Sequence, residues 1–315
     1  MFIGFILISF SAVSLFTFSV ISAFSQRHFL ISLFILLTNV LLLVDIIFQL
    51  KKESLHFLKL KQKDLFIVLF CVVGSITAYV INVYVGLGAI VASAMIGLLS
   101  AILIPKYSVA IYCGSFVGMV SPLVLHDFYH VILAAIMAGF ILMLSDNVYQ
   151  GYGGKLGATA FIPWIILSLS NNVQLTTPYA LSITIMFEIL IYSSFAAFAT
   201  YVIAQRFKHD AVTSSSLVSL VAGLILPAVF PNNGSAFAAV AMSASFAGMS
   251  SKKVIKNEFQ MIIVSILLGV MFVYSYSHFG GAGGKLGTLA FASVITFKGI
   301  EILINSRLKK NDIQK

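Results

Sequence analysis

Apolar stretches, most of them close to twenty residues long, follow one another along almost the whole chain and are separated by short polar links. They cover 2–24, 29–50, 65–84, 87–104, 107–121, 128–145, 157–173, 179–204, 211–230, 234–250, 259–278 and 288–306. About 20 helical residues cross a bilayer core about 30 Å thick. The pattern predicts an all-α polytopic membrane protein with about 12 membrane segments. Transmembrane β-strands would instead alternate over about 10 residues. Only 9% of residues are charged and 60% are hydrophobic, with a mean hydropathy of +1.06. Soluble domains carry about 25% charged residues. Too few charges remain to cover a water-facing surface, which excludes a soluble enzyme, a nucleic-acid-binding domain and a disordered chain. The expected surroundings are lipid, with no nucleic-acid partner.

The net charge of +9 sits in short clusters between apolar runs, as expected where Lys and Arg gather on cytoplasmic loops. Cys71 and Cys113 each lie inside an apolar run and suggest no disulfide framework. Residues 2–24 lack a basic leader and a small-residue cleavage site, and a second apolar run follows the Arg27-His28 link. They read as a retained transmembrane helix. The segment Lys51–Asp64 holds five lysines and reads as a cytoplasmic loop.

An internal repeat organises the rest. Ser115-Phe116-Val117-Gly118-Met119-Val120-Ser121 returns 130 residues later as Ser245-Phe246-Ala247-Gly248-Met249-Ser250-Ser251. Gly153-Gly154-Lys155-Leu156-Gly157 returns at the same offset as Gly283-Gly284-Lys285-Leu286-Gly287. Gly139 pairs with Gly269 at 130, and Gly97 and Pro105 pair with Gly223 and Pro231 at 126. The expected organisation is a two-helix N-terminal extension with its basic loop (1–64), a first unit (65–177), a second unit (178–306) and a basic tail (307–315). Each unit has four good spans and one short one, 107–121 or 234–250. Five crossings per unit invert the second unit relative to the first; four leave them parallel. The inverted arrangement puts 16 of the 19 Lys and Arg residues inside and two outside, whereas the parallel one puts 13 inside and five outside. The charge bias favours inversion, with both termini in the cytoplasm of a bacterial inner membrane.

Inverted units with short, Gly- and Pro-interrupted segments at matching positions point to a transporter site near the bilayer midplane. The candidate pathway residues are Ser115, Gly118, Met119, Ser121, Ser245, Gly248, Met249 and Ser251, the serines offering hydroxyls. The plain alternative is close helix packing through small residues. Gly153, Gly154, Lys155, Gly283, Gly284 and Lys285 form the candidate anion or gate segments, because glycines before a helix start leave N–H groups accessible and the lysine adds charge. The alternative is a tight turn whose lysine meets headgroups. These are not P-loops, since the first glycine is missing and Leu follows Lys.

A charge at span depth costs at least about 2.5 kcal/mol and tends to line a cavity or find a partner. Glu188 has no charged neighbour in its run and is the candidate coupling carboxylate. Asp45 is expected to reach the interface, Lys298 and Glu301 to form a pair on one helix face. His126, Asp127 and His130 read as an interfacial cluster without a third metal-ligand set. Asn171-Asn172 and Asn232-Asn233 read as loops, and Trp164 as an interfacial anchor. No catalytic motif appears, so no enzyme activity, metal or cofactor is expected.

Two inverted five-helix units with a shortened segment in each resemble the architecture of urea channels. The Leu-Pro-x-x-Thr-x-Pro-Phe motif of those channels is absent; Leu226-Pro227 begins it and departs. The expected function is a transporter or channel for a small polar solute, an anion or carboxylate in the first reading. The alternatives are a neutral-solute channel, and a non-transporting assembly factor or membrane enzyme. A homo-oligomer is compatible with the sequence.

Overall fold

The computed structural model describes residues 2–25, 29–52, 62–122, 124, 127–170, 181 and 183–313. The Arg27-His28 link, most of the 51–64 loop, His126, Asn171-Asn172 and the last residues of the tail lie outside these. Twelve α-helices make up the described chain. The first pair is α1 (Phe2–Ser25) and α2 (Phe29–Lys52). A first set of five follows: α3 (Gln62–Tyr79, prolonged by a π turn to Tyr84), α4 (Ala89–Leu103), α5 (Ser108–Gly118), α6 (Phe128–Leu144) and α7 (Lys155–Ser170). A second set comprises α8 (Met186–Gln205), α9 (Ala211–Val229), α10 (Gly234–Gly248), α11 (Glu258–Ser275) and α12 (Lys285–Ile313).

Seven helices, namely α1, α2, α3, α8, α9, α11 and α12, are long and apolar enough to cross a membrane. Helices α4, α6, α7 and α10 are apolar but shorter, and α5 has 11 residues. The surface is apolar and much of the polar content is inside. Leu30, Leu103 and Phe195 are exposed, while Ser93, Ser115, Ser214, Ser215, Ser219 and Ser245 are fully buried. Helices satisfy their own backbone groups, so such a surface suits lipid, and the interior uses small and hydroxylic residues for close packing.

The two sets of five pack internally in the same way: the first helix lies on the third and fourth, and the third on the fifth. Small residues set the distances. A Cβ added at Gly118 would lie 2.3 Å from the Ser75 carbonyl oxygen, and one at Gly248 2.8 Å from that of Ala197. Gly139 sits against Val68 and Gly269 against Leu190. The links before α7 and α12 share a backbone path as well. Tyr149, Gly151 and Gly154 have φ of 49°, 78° and 80°, and the residues 130 further on, Phe279, Gly281 and Gly284, have 54°, 75° and 84°.

Between the sets, contacts are reciprocal. Gly97 on α4 faces Ser216 on α9, and Gly223 on α9 faces Ile90 on α4, so these helices run antiparallel. At the start of α7, Gly154 approaches the Phe291 nitrogen, and Gly284 at the start of α12 approaches the Phe161 nitrogen. Those two helices are antiparallel too, overlapping by about two turns at their N-termini. The Ser251 N–H donates to the Gly151 carbonyl, and the Ser121 N–H to the Gly281 carbonyl, each at 2.9 Å. Each link therefore rests on the end of the other set's third helix.

The α1–α2 pair breaks this regularity. Helix α1 lies along α7, α11 and α12, and α2 lies beside α12. Phe5 stacks on Tyr149, and Phe18 meets Phe279 edge-on. Thirteen residues separate the two phenylalanines, which spaces the two links by about 20 Å along α1.

Candidate functional site

A cavity of about 260 Å³ lies between the two sets of helices. Its walls come from the link 145–154, the first turn of α7, and the start of α5 and of α9; Phe116, Leu142, Phe246 and Met249 complete it. Asp146 and Gln150 are its exposed polar residues, and Tyr152 and Lys155 are partly buried. The link cannot be helical, because Tyr149, Gly151 and Gly154 have positive φ. The strain at Tyr149 is held by packing, with Phe5 on one face of the ring, Phe291 at its edge and the Ser9 hydroxyl 2.9 Å from its own.

Both lysines of the repeated Gly-Gly-Lys segments cap helices. Lys155 Nζ donates to the carbonyls of Ser145 (2.5 Å) and Asp146 (3.2 Å), just past the end of α6. Lys285 Nζ donates to the Tyr276 carbonyl (3.0 Å), just past α11, and lies 5.8 Å from the Tyr276 ring centroid. A cation there offsets the negative end of the helix dipole. The segments meet at the contact between the sets, where a Cβ on Gly157 would lie 2.4 Å from the Gly287 Cα.

The other predicted residues fall in two layers. Gly153, Gly154 and Met249 line the cavity, while Gly283 packs on the Phe116 and Val117 carbonyls. Ser115 and Ser245 lie outside its lining, in a buried hydroxyl layer. Ser93 and Ser115 are 2.8 Å apart, and Ser245 is 2.9 Å from Ser215 and 2.8 Å from Ser219. Tyr112 joins this layer through Ser215 at 3.2 Å. Gly118 and Gly248 serve close packing, Met119 ends α5, and Ser121 and Ser251 hold the links by their backbones. The phenylalanines inside the repeated motif were not singled out, yet Phe116 and Phe246 both line the cavity, their rings 4.7 Å apart. Ser93 and Ser219 were missed as well, although their spacing of 126 matches that of Gly97 and Gly223.

Several ionisable residues are also placed differently. Glu188 is exposed in the first turn of α8. Asp45 does not reach the interface. It is fully buried, and its Oδ1 accepts from Gln49 Nε2 at 3.3 Å and from the Tyr152 hydroxyl at 3.4 Å. Burial and the Asp45 carboxylate hold Tyr152 well above the usual tyrosine range, so it stays a donor. Glu301 pairs with Lys298 as expected, and also with Lys256. Trp164 is no interfacial anchor: it is buried, parallel to the Phe161 ring and against Phe279. His130 lies 3.6 Å from Asp127, and among the described residues no group of three possible metal ligands forms. Asn232 and Asn233 do lie in a turn.

The two equivalent links differ in polarity and exposure. Asp146 and Gln150 correspond to Tyr276 and Gly280, and partly exposed Lys155 to Lys285, which is 8% exposed. The Tyr276 ring lies by Lys285 where the first link has only the small, exposed Asp146.

Comparison with protein-family models, with curated proteins and with solved structures found no match. Fold and surface define an all-helical chain with several helices apolar enough to cross a membrane, consistent with a multi-pass membrane protein in contact with lipid.

Proposed function

We propose that this chain is a transporter for a small polar solute, with its pathway between two inverted five-helix units that arose by duplication. The observation that carries the reading is the cavity between the sets, walled by the repeated segments and reaching the Phe116–Phe246 pair. The antiparallel pairing of α4 with α9 and of α7 with α12 supports inversion. Two-fold-related helices are antiparallel only when the axis is perpendicular to them, which for spanning helices is an axis in the membrane plane. The links 104–107, 206–210 and 249–257 then share the lysine-rich cytoplasmic face with both termini, and the link 145–154 runs from that side to the centre, where α7 begins. The cavity opens to that side, and its outer equivalent is closed around Tyr276 and Lys285. Alternating access would exchange the two states.

The solute class supported first is a small anion or carboxylate, since the positive N-terminal ends of α7 and α12 converge at the centre of the molecule. A neutral polar solute is the second reading. It is favoured by the engagement of both lysines with carbonyl oxygens and by Asp146 at the cavity wall.

Uptake into proteoliposomes of a panel of labelled small carboxylates, inorganic anions and neutral polar solutes tests this. Saturable uptake of a carboxylate, weakened by Lys155→Ala or Lys285→Ala in folded protein, supports the anion reading. Uptake of neutral polar solutes in preference to anions, unchanged by both substitutions, favours the neutral-solute reading. No uptake of any solute favours a non-transporting protein.

A further inference from the structure

Among the described residues, Asp45 is the one acid with no exposed surface. It belongs to α2, outside both five-helix sets, yet it faces the link that walls the cavity. Both donors to its carboxylate use Oδ1, while Oδ2 is buried with no partner. A buried carboxylate short of donors is costly, and the usual escape is to take up a proton. Tyr152 stands between Asp45 and the cavity, lining the cavity while its hydroxyl donates to Oδ1. Gln49 Nε2 donates to the Tyr152 oxygen at 2.7 Å and so aims the tyrosine proton at the acid.

The surrounding charges leave this site to a proton. Lys298 on α12 acts on Asp45 electrostatically, but it is paired with Glu301, which also holds Lys256. Tyr149 packs against Tyr152 at 5.2 Å, and Asp146 and Lys155 belong to the same link. A metal cation would want about six oxygen ligands. Here it would meet one carboxylate, an amide nitrogen, a hydroxyl and a nearby lysine.

We propose that Asp45 is a proton-binding site whose occupancy sets the position of Tyr152 and, through it, the cavity wall 145–154; as the coupling site of a transporter, it rests on the function proposed above. In the step, a hydronium ion in the cavity gives its proton to the Asp45 carboxylate by way of Tyr152, leaving water and a neutral carboxylic acid. The neutral acid is a weaker acceptor, so Tyr152 is freed to turn toward the cavity. Deprotonation restores the bond. The N-terminal pair thereby gains a role that the two repeated units do not supply.

The test uses the full-length protein in nanodiscs and in proteoliposomes. Infrared pH-difference spectra should show a protonated-carboxyl band that titrates, is missing in Asp45→Asn and remains in Tyr152→Phe. A cysteine at Gln150 should react with a thiol reagent at a rate that changes with pH several-fold more than in the same variant carrying Asp45→Asn or Tyr152→Phe. A band that survives Asp45→Asn, or equal pH dependence in all three backgrounds, overturns the proposal. In proteoliposomes, Asp45→Asn should abolish uptake driven by a pH gradient. If the band and the cysteine behave as expected but no solute moves in the unmodified protein, the proton site stands and the transport reading falls.

Discussion

Gly157 and Gly287 face each other so closely that a Cβ on either would lie 2.4–2.5 Å from the Cα of the other. The contact is backbone against backbone at the crossing of α7 and α12, so no flexible side chain can yield. Gly157→Ala and Gly287→Ala are each expected to destabilise the protein by about 1–3 kcal/mol, as overpacking does. The double variant should lose less than the sum, because one displacement of the helices relieves both clashes. Thermal unfolding in detergent measures this; full additivity would show that the helices are not in contact.

The short helices α5 and α10 decide the topology. Lys106 and Asp127 flank α5, and Asn232 and Lys253 flank α10; all four are exposed. Single cysteines at these positions are expected to label from opposite sides of the membrane within each pair, with positions 106 and 253 on the cytoplasmic side. Cys71 and Cys113 are buried and should contribute little background. Same-side labelling within a pair would make that helix re-entrant and the repeats parallel.

The two capping lysines should differ in what their loss costs. Lys285→Ala leaves the Tyr276 carbonyl without its donor in a site closed to water, a loss of about 1–3 kcal/mol. Lys155 is partly exposed, so water can replace it at the Ser145 carbonyl, and Lys155→Ala should cost less. Unfolding midpoints of the two variants, compared side by side, provide the check. A larger loss for Lys155→Ala would contradict the difference in burial.

Phe246 lines the cavity and meets Phe116 and Tyr112 behind it. Truncation to alanine should remove part of a barrier at the cavity end. The expected result in proteoliposomes is increased passive leak of the transported solute. Stability should fall by about 3–5 kcal/mol, typical of a buried Phe→Ala change. Unchanged leak in folded protein would place the barrier elsewhere.

His278 is buried beside Phe18 with neither ring nitrogen hydrogen-bonded. Burial first, and then the Lys285 charge, hold it below the ordinary histidine value of 6.5. The unfolded chain therefore binds the extra proton more readily, and stability should be fully present above the ordinary value and fall as pH drops below it. His278→Phe should flatten that slope in pH-dependent melting curves. An unchanged slope would assign it to other groups.

Much of the fold was legible because lipid and helix impose a simple code. Each apolar run carries a helix, and the repeated motifs mark equivalent turns: Gly154 and Gly284 share a backbone conformation as well as a sequence. The site was less legible. Ser115 and Ser245 read as candidate solute ligands because they recur in the two short segments that follow a proline; in the fold they belong to a buried hydroxyl layer. Glu188, in the first turn of α8, is exposed, and hydropathy along the chain does not say which side of a helix faces a neighbour.

The sequence by itself determined that the chain is helical and that its surface suits lipid, and it shows the same short motifs 130 residues apart. Hydropathy and repetition are properties of segments, and they survive without knowledge of neighbours. Only the tertiary structure decided that the two Gly-Gly-Lys-Leu-Gly segments meet at Gly157 and Gly287, that Phe116 and Phe246 line one cavity, and that Asp45 is buried behind Tyr152. An apolar run reads the same whether lipid or another helix covers it. Which polar group gains a partner depends on contacts between residues as far apart as Asp45 and Tyr152.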